Sequence, residues 1–364
     1  MIRILALCIV LVWIVLPIAA QDHAGEGKEY VCPMFCKNAV YNKPGTCPVC
    51  GMTLVERASL SAQEHQNVAI LVFDGVQIID YTAPYEIFGQ RHFNVYTVAA
   101  KEGPISTSMN MSVNPTYTFA NAPAPYILIV PGGNVDDSVQ DARTIAWIRK
   151  SAGQAEHVLS VCNGAFLLAK AGLLDGLSAT TFHHLIDDLA QAAPKTKIVR
   201  DARYVDNGKI ITSAGLSSGI DGSLYLISKI FGKETAQELA LHLEYNWQPD
   251  LHWARAAMAD RYISQVSLDL PDATDWKPVR NIGDMNSWEL SGTVQSSLSL
   301  VKLAEEVRNR LNSTGWRQQA ADGNQARWSF SGENGSTWSA QLTVEPRETQ
   351  RYLLSLRIQR TSNQ

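Results

Sequence analysis

The sequence predicts an α/β protein with a parallel sheet covered on both faces, preceded by a small cysteine ribbon and followed by an α+β domain. Three observations carry this prediction. Residues 68–247 alternate short apolar, β-branched runs with helix-length segments, as buried parallel strands and their crossover helices do. Four cysteines lie between residues 32 and 50, and from about Pro271 onward apolar and polar residues alternate as in antiparallel strands.

The first 20 residues have the pattern of a secretory signal peptide. Arg3 precedes an apolar run from Ile4 to Leu16 and a small-residue ending, so we expect cleavage after Ala20. The alternative is an uncleaved anchor, although this run is short for a membrane span, which takes about 20 residues. The mature protein is therefore expected in the periplasm or otherwise outside the cytoplasm, without a stable membrane anchor.

Composition and length bound the partners and the number of domains. The formal net charge is −4 and basic residues are not clustered, so nothing indicates a nucleic-acid partner. Removing residues 1–20 leaves 344 of the 364 residues, enough for two or three domains. We expect a cysteine ribbon at 21–56, the main α/β domain at 66–249, a connecting helix at 250–270 and the α+β domain at 271–364.

The four cysteines of the ribbon are compatible with disulfides, structural zinc or a softer metal. Cys32, Cys36, Cys47 and Cys50 have the spacing C-x3-C-x10-C-x2-C, which suits a tetrahedral site of four thiolates. The Cys-x2-Cys pair is cramped for a relaxed disulfide but well shaped for a metal, so we favour Zn(II) or Cu(I). Two disulfides stay open as the alternative, because the expected compartment is oxidising.

The stretch "YVCPMFC...KPGTCPVCGMTL" also closely resembles the heavy-metal-binding domain attached to copper and zinc efflux proteins. That pattern usually reads Cys-Pro-Met-His-Pro in its first half, whereas this sequence has Phe35 and Cys36 there. The histidine is missing and a fourth thiolate lies one position later. The resemblance therefore implies all-sulfur ligation, with Met34 and Met52 as candidate thioether ligands.

The main domain is expected to have four core strands, a hairpin and two closing helices. The strands are predicted at 68–73, 93–100, 126–133 and 157–164. Asn207-Gly208 between two alternating segments predicts a two-residue hairpin turn. Helical patterns at 217–232 and 233–247 complete the domain.

One cysteine, Cys162, lies outside both the ribbon and the first 20 residues. In "HVLSVCNGAFLLAKAGLL" an apolar strand runs into Cys162, then Asn-Gly, then a helix bounded by Gly172, which is the arrangement of a nucleophile elbow. The helix N-terminus beneath such a sulfur favours the thiolate over the thiol. The alternative is an inert cysteine packed in a core strand.

Residues 68–247 resemble the ThiJ/PfpI superfamily, which is related to class I glutamine amidotransferases, and are most similar to its isonitrile-hydratase-like and regulator-associated branch. The resemblance rests on "VFDGVQIIDYTAPYEIFG", "LIVPGG", "SVCNGAFLLAKAGLLDGLSATTFHH" and "YVDNGKIITSAGLSSGIDGSLYLI". It covers about half of the chain and implies a flavodoxin-like doubly wound fold. The DNA-binding helix-turn-helix of the regulators is not expected, because the C-terminal segment has strand patterns and little positive charge.

The resemblance also implies a site around Cys162. Asp80 in "IIDYTAP" matches the acidic residue that hydrogen-bonds the elbow cysteine, and it would act as acid or base while Cys162 attacks. Gly132 and Gly133 match the turn whose backbone amides face the cysteine and can stabilise an oxyanion. The structural alternatives are a helix cap at Asp80 and an ordinary strand ending at Pro-Gly-Gly.

The chain departs from the family at a third site position, the one that many relatives fill with histidine. Many relatives have histidine directly after a Thr-Thr pair, whereas "ATTFHH" puts Phe182 there, followed by His183 and His184. A small shift of the turn would let His183 serve, but neighbouring residues of a strand point to opposite faces. Without a histidine the site would still resemble the isonitrile-hydratase pattern, in which cysteine and aspartate carry the chemistry.

The C-terminal segment resembles no family that we recognise. "SWELSGTV", "ARWSFSG", "STWSAQLTVEP" and "RYLLSLRIQR" alternate as antiparallel strands do, and "SLVKLAEEVRNRLNSTGW" predicts a helix that ends before Gly315. Five tryptophans lie between residues 276 and 338, and we expect them to fill a thin core. A surface for a sugar or an aromatic ligand is the alternative.

Two functions follow from these features. The first is an extracytoplasmic enzyme that uses Cys162 to hydrate or hydrolyse a small electrophile such as an isonitrile, an amide or a reactive aldehyde. The second is a non-catalytic binding or stress-sensing protein, in which the ribbon captures copper or zinc and Cys162 is oxidised. The Asp80 and Cys162 pair favours the first. Expected partners are a small-molecule substrate and a metal ion, with a second copy of the chain as a further candidate.

Overall fold

The computed structural model describes residues 28–32, 40–49, 51–57, 66–91, 93–250, 254–264, 272–332 and 335–361. The chain divides into two compact units, residues 1–61 and 62–364. The expected signal peptide lies outside the described residues, as do Met34, Phe35, Cys36 and Cys50. Among the helices described, none combines the length and the apolar character that a membrane crossing requires.

The first unit contains a three-stranded antiparallel sheet. Strand β1 (Tyr30–Val31) pairs with β2 (Val40–Tyr41) on one side and with β3 (Val55–Glu56) on the other. An isolated bridge between Thr46 and Thr53 closes the loop that leads to β3. The short strands bring the two halves of the cysteine pattern together, as a ribbon requires.

The second unit begins with the α/β domain. Its strands are β4 (Asn67–Leu71), β5 (Asn94–Ala99), β6 (Ile105–Ser106), β7 (Ser112–Val113), β8 (Tyr117–Thr118), β9 (Ile127–Val130), β10 (His157–Val161), β11 (Ser178–Ala179), β12 (Lys197–Ile198), β13 (Tyr204–Asp206) and β14 (Ile210–Ser213). Seven of them form one sheet in the order β13-β14-β10-β9-β4-β5-β8. All neighbours in this sheet are parallel except β13 and β14.

Helices cover both faces of this sheet. They are α1 (Ile78–Gly89), α2 (Asp136–Gln140), α3 (Ala142–Gln154), α4 (Gly164–Lys170), α5 (Ile186–Ala192), α6 (Ser217–Phe231) and α7 (Lys233–His242). Helices α1 and α7 pack against α6, whereas α3 and α5 pack against α4, and β10 contacts both α4 and α6. The apolar runs of β9 and β10 are therefore buried on both sides. The predicted flavodoxin-like doubly wound fold is confirmed.

The predicted hairpin is also present. Strands β13 and β14 are antiparallel, and Asn207 donates its amide proton to the carbonyl of Ile210 at 3.0 Å. Gly208 has a φ of +87°, which a residue with a side chain adopts only with strain. Asn207-Gly208 is therefore the turn that the sequence indicates.

The predicted connecting helix is wrong where the structure describes it. Residues 254–264 form a single turn, Arg255–Ala257, and a short helix, α8 (Arg261–Ser264), and between them Met258 is extended with a ψ of 148°. The amide of Ala259 donates to the carbonyl of Asp284, in the C-terminal region, at 2.9 Å. A continuous helix would instead direct this amide to a carbonyl four residues earlier. Tertiary contacts therefore override the local helical pattern.

The C-terminal region is an antiparallel sheet with one helix, as predicted. Its elements are β15 (Ala273–Gly283), β16 (Ser287–Ser296), α9 (Leu300–Asn312), β17 (Arg317–Asp322), β18 (Gln325–Ser331), β19 (Thr337–Glu348) and β20 (Arg351–Arg360). The strand order is β15-β16-β20-β19-β18-β17, and α9 packs on β19. Trp316, Trp328 and Trp338 are buried in the core, whereas Trp276 on the edge strand β15 is 43% exposed. Most of the tryptophans therefore fill the core, as expected.

The parallel sheet brings three chain segments to one edge. Strands β4, β9 and β10 are parallel neighbours, so their carboxyl ends lie side by side. Asp80 lies in the first turn of α1, which follows β4, Gly132 follows β9 and Cys162 follows β10. Open α/β sheets bind ligands at this edge, where the strand order reverses.

Candidate active site

Cys162 occupies a strained elbow between β10 and α4. Its φ is +58°, a conformation that costs a non-glycine residue on the order of 1–3 kcal/mol. The amide of Cys162 donates to the carbonyls of Ser213 at 3.2 Å and Ala214 at 3.3 Å, and the Thr181 hydroxyl donates to the Cys162 carbonyl at 2.8 Å. These bonds from β14 and from the Thr-Thr segment hold the elbow that the sequence predicts.

Two glycines make the close approach at the elbow possible. A Cβ added to Gly164 would lie 2.1 Å from the carbonyl oxygen of Val130 in β9. A Cβ added to Gly132 would lie 2.1 Å from Asn163 Oδ1 and 2.9 Å from Cys162 Cβ. None of these three distances is tolerable. The strand ends and the elbow can therefore approach each other this closely only with glycine at both positions.

The carboxyl of Asp80 lies beside the sulfur and is completely buried. The Gly132 amide donates to Asp80 Oδ2 at 3.2 Å, and the Cys162 thiol and the Leu216 amide also face the carboxyl. Oδ1 nevertheless completes no hydrogen bond of ordinary geometry within the described residues. Burial raises the pKa of Asp80 to about 7, and the three donors oppose that rise. Asp80 provides no helix cap, since α1 begins after Gln77 without a side-chain cap.

The prediction that the elbow favours the thiolate is wrong for the resting site. Burial raises the pKa of the Cys162 thiol, and the charge of Asp80 raises it further, while the Asn163 amide opposes the shift. Cys162 is 7% exposed, so desolvation exceeds the effect of the helix end. The two groups therefore titrate together, and Asp80 loses its proton before Cys162 does.

The Pro-Gly-Gly amides have a different role from the predicted oxyanion stabilisation. The Gly132 amide donates to Asp80, and the Gly133 amide donates to Asn163 Oδ1 at 2.8 Å. Asn163 Nδ2 donates in turn to the Gly133 carbonyl at 2.8 Å. These amides thus fix the carboxyl and the elbow, because side chains nearby compete for them.

The backbone amide that faces the sulfur belongs to Asn163, which the sequence reasoning did not single out. Its side chain fastens the Gly133 turn while its own amide remains directed at Cys162. The available signal was its position, since the residue after an elbow nucleophile commonly supplies an oxyanion donor. Asn163 is therefore the best candidate in the described structure for stabilising charge that develops near Cys162.

Phe182 lies next to the sulfur. A Cβ added to Gly215 would lie 2.5 Å from the Phe182 ring and 3.1 Å from Cys162 Sγ, so the ring and the sulfur meet at Gly215. Leu216, the next residue, is 41% exposed and also has a positive φ of +55°. The wall beside Cys162 is therefore apolar.

The structure does not bring His183 to the sulfur. The chain bends after Phe182 into the turn His183–Leu185, and His183 faces His184, Arg255 and Asp260. Burial, assisted by His184 and Arg255, lowers the pKa of His183 to about 4, so the ring is neutral at pH 7. The turn therefore places this histidine toward the connecting segment.

The ribbon brings two of its four cysteines together. Cys32 and Cys47 are buried and share one small apolar cluster with Leu54. The Gly51 amide donates to the Cys47 carbonyl at 2.8 Å, and the Cys47 amide donates to the Met52 carbonyl at 2.7 Å. Gly51 has a φ of +77°, so the chain turns sharply after Val49 with a glycine at the position that needs it.

The donors in this ribbon fit a soft metal. Thiolates are the ligands that Zn(II) and Cu(I) prefer, and Cys32 and Cys47 lie on the two separate loops that such a ribbon uses. Cys36 and Cys50 lie outside the described residues, within which no group of three or more His, Cys, Asp or Glu side chains is assembled. The four-thiolate set stays a prediction.

Known proteins resemble both units. Residues 66–229 match the model of the DJ-1/PfpI family, and residues 29–57 match the heavy metal binding domain. An isonitrile hydratase of Pseudomonas putida is 36% identical over 184 residues, covering 49% of this chain and 78% of that protein. A deglycase of Pyrococcus horikoshii is 26% identical over 170 residues, covering 46% of this chain and 98% of that protein.

Solved structures are similar to the same part of the chain. A ThiJ/PfpI family protein from Pseudomonas syringae is 28% identical, with a TM-score of 0.49. The similarity covers 55% of this chain and 83% of that protein.

Proposed function

The chain belongs to the DJ-1/PfpI family, and from this membership we propose that it is a cysteine-dependent enzyme that adds water to an isonitrile. The observation that supports the proposal is the buried pair of Asp80 and Cys162 at the carboxyl ends of β4 and β10. Such a pair supplies a nucleophile and a proton carrier without a histidine. The 36% identical isonitrile hydratase favours this substrate class over the aldehyde adducts of the deglycases.

The chemistry follows from the shared proton. Cys162 Sγ forms a bond to the terminal carbon of R–N≡C, while the thiol proton passes through Asp80 to the same carbon and gives R–N=CH–S–Cys. Water then adds to this carbon, and the C–S bond breaks. The two protons of water end on the nitrogen and on the sulfur, again by way of Asp80, and the product is the formamide R–NH–CHO.

The surroundings of the pair suit an uncharged substrate. The wall beside the sulfur consists of the Phe182 ring and Gly215, and neither offers a charge. The Asn163 amide faces the sulfur and would stabilise the negative charge that develops during attack. Because Asp80 has a pKa of about 7, it can both accept and return a proton near neutral pH.

The test uses the full-length protein and cyclohexyl isonitrile, with the formamide product measured by mass spectrometry. We expect turnover in the wild type and a loss of at least about 1,000-fold in both Cys162→Ala and Asp80→Asn. His183→Ala is the matched control and should retain activity, because His183 interacts with His184, Arg255 and Asp260 and is not among the groups that act on Asp80 or Cys162. Turnover that persists in Cys162→Ala would exclude the mechanism, and activity only on glyoxal adducts would move the assignment to the deglycase class.

We also propose that the ribbon binds one Zn(II) or Cu(I) through Cys32, Cys36, Cys47 and Cys50, and that the protein acts outside the cytoplasm. The match to the heavy metal binding domain and the burial of Cys32 and Cys47 support the first statement. Metal analysis and a thiol count on the purified protein test the metal site, and cell fractionation tests the location. Protein with two disulfides and no metal would contradict the metal site, and protein retained in the cytoplasm would contradict the location.

A sensing role for Cys162 is less well supported. Oxidation-sensitive cysteines are exposed and have a lowered pKa, whereas burial and Asp80 raise the pKa of this thiol. The rate of peroxide oxidation of Cys162 at pH 7 should therefore be lower than that of an ordinary exposed thiol.

A further inference from the structure

A second buried charged cluster lies near the site and takes no part in the proposed reaction. Arg203 Nε donates to Asp221 Oδ2 at 2.5 Å, and the Tyr245 hydroxyl donates to Asp221 Oδ1 at 3.1 Å. The side chains of Arg203 and Asp221 are only 15% and 8% exposed. A buried ion pair is weak support for stability, because desolvation offsets most of its attraction. Its position is therefore more informative than its strength.

Arg203 binds both ends of one turn. Its carbonyl accepts a hydrogen bond from the Ala214 amide at 2.8 Å, and its Nη2 donates to the Ser217 hydroxyl at 3.2 Å. Gly215 and Leu216 lie between these two anchors. Since Leu216 has a φ of +55°, the turn would relax to another conformation without the anchors.

The same turn contacts the reacting pair at three points. The Ala214 carbonyl accepts from the Cys162 amide at 3.3 Å. Gly215 leaves room for the sulfur, because a Cβ there would lie 3.1 Å from Cys162 Sγ. The Leu216 amide faces the carboxyl of Asp80.

We propose that Arg203, Asp221 and Tyr245 form a clamp that holds the turn 214–217 in its strained conformation and so keeps the Leu216 amide directed at Asp80. The three are positioning residues, since they act through the turn and do not touch the reacting atoms. The proposal rests on the proposed function for its turnover measurements alone, because thiol alkylation reports the same geometry without a substrate.

Loosening the clamp should shift the pKa of Asp80 in a predictable direction. The Leu216 amide stabilises the ionised carboxyl, so its withdrawal raises the pKa of Asp80 above about 7. The titratable group that faces Asp80 is Cys162, and those that face Asp221 are Arg203, Tyr245 and Tyr204. The lower inflection of the pH profile should therefore move to higher pH.

The chain contains a matched control on the same helix, α6. Lys229 Nζ pairs with Asp206 Oδ2 at 2.8 Å, and the Tyr225 hydroxyl donates to Asp206 at 2.9 Å. This second triad joins β13 to α6, whereas in the clamp Arg203 precedes β13 and Tyr245 follows α7. Lys229 also donates to the carbonyl of Gly208 in the hairpin, away from the turn. Each clamp variant therefore has a counterpart of the same chemistry that leaves the site untouched.

The experiment compares Asp221→Asn with Asp206→Asn, and Tyr245→Phe with Tyr225→Phe, in the full-length protein. We measure kcat and KM for cyclohexyl isonitrile against pH, and the alkylation of Cys162 by iodoacetamide against pH from its tryptic peptide. We expect Asp221→Asn to lower kcat by about 10- to 100-fold with little change in KM, and to move both lower inflections to higher pH. Tyr245→Phe should change kcat and both inflections in the same direction by smaller amounts. The control variants should change neither.

Conservative rescue and folding controls complete the test. Arg203→Lys should recover part of the activity that Arg203→Met loses, because lysine can still pair with Asp221. If Asp221→Asn does not fold, Tyr245→Phe tests the clamp in its place, because this variant keeps both the Arg203–Asp221 ion pair and the aromatic ring. Equal pH profiles for Tyr245→Phe and Tyr225→Phe would overturn the clamp. If the wild type does not hydrate isonitriles but the alkylation inflection still moves in Tyr245→Phe alone, the function is wrong and the clamp stands.

Discussion

Cys162 and Cys47 are both buried, and each belongs to a turn that contains a residue with a positive φ. The surroundings of the two sulfurs nevertheless suit different chemistry. In the elbow Cys162 itself has the positive φ, and the carboxyl of Asp80 lies next to its sulfur. In the ribbon the positive φ belongs to Gly51, which turns the chain back beneath Cys47 without straining the cysteine. The difference teaches that a strained residue can itself present its sulfur at the end of a strand, whereas a glycine turn leaves the cysteine unstrained, which suits the proposed metal site.

Replacing each of the two cysteines by serine should give the largest difference between the two regions. Cys162→Ser is expected to lower turnover at least about 1,000-fold and leave the bound metal unchanged. Cys47→Ser should do the reverse, lowering the metal content to below half while turnover stays within about twofold. Turnover and metal content are measured on the same samples. A loss of turnover in Cys47→Ser comparable to that of Cys162→Ser would mean that the ribbon takes part in the reaction.

Removing the charge of the buried carboxyl should stabilise the protein at the expense of activity. The folded pKa of Asp80 is raised to about 7 from an ordinary value of 3.8, so its contribution to stability is full below about pH 4 and is lost as pH rises through 7. Asp80→Asn should therefore raise the free energy of unfolding by about 2–4 kcal/mol at pH 8 and by much less at pH 4. Urea unfolding at the two pH values checks this.

The opposite pH dependence, with the variant gaining more at pH 4 than at pH 8, would show that Asp80 is ionised without penalty in the folded protein. The exposed Asp137→Asn is the control variant, since its carboxyl lies at the surface.

Alanine at two glycines should separate close packing from backbone conformation. Gly132→Ala would place a Cβ 2.1 Å from Asn163 Oδ1, and we expect a loss of about 2–4 kcal/mol together with most of the turnover. Gly51→Ala meets no atom within 4 Å but must adopt a φ of +77°, so the expected cost is about 1 kcal/mol and is confined to the ribbon. Thermal unfolding and metal affinity distinguish the two, and equal costs would contradict the assignment.

Removing the metal should have the smallest effect on turnover. Chelation is expected to increase proteolysis within residues 28–57, because a ribbon of two-residue strands has little core of its own. The activity at Cys162 should stay within about twofold of the loaded protein. A larger fall that metal restores would show communication between the ribbon and the α/β domain.

Much of the site could be predicted because parallel strands end at one edge. The apolar runs before Cys162 and Gly132 indicated β10 and β9, and the motif around Asp80 followed β4, so their meeting required only the fold. The Asn207-Gly208 hairpin was predictable for a similar reason, because the turn type selects those residues.

The errors came from side-chain competition and burial, which sequence patterns do not report. Asn163 takes the Gly133 amide, so the predicted oxyanion donors are engaged elsewhere. The pKa of Cys162 depends on its depth beneath the surface, and the direction of His183 depends on a single turn after Phe182. Each is set by distances of a few ångströms that neighbouring segments decide.

The edge strand β15 has a consequence for how the protein behaves at high concentration. Ten of its eleven residues are exposed, including Trp276, Val279 and Ile282, and such an edge is a template for pairing with other chains. Two irregularities in its pairing with β16, after Thr274 and after Pro278, disturb the regular row of hydrogen-bonding groups, and proline has no amide proton to offer. These features protect a long, exposed edge against aggregation while leaving its side chains in solvent.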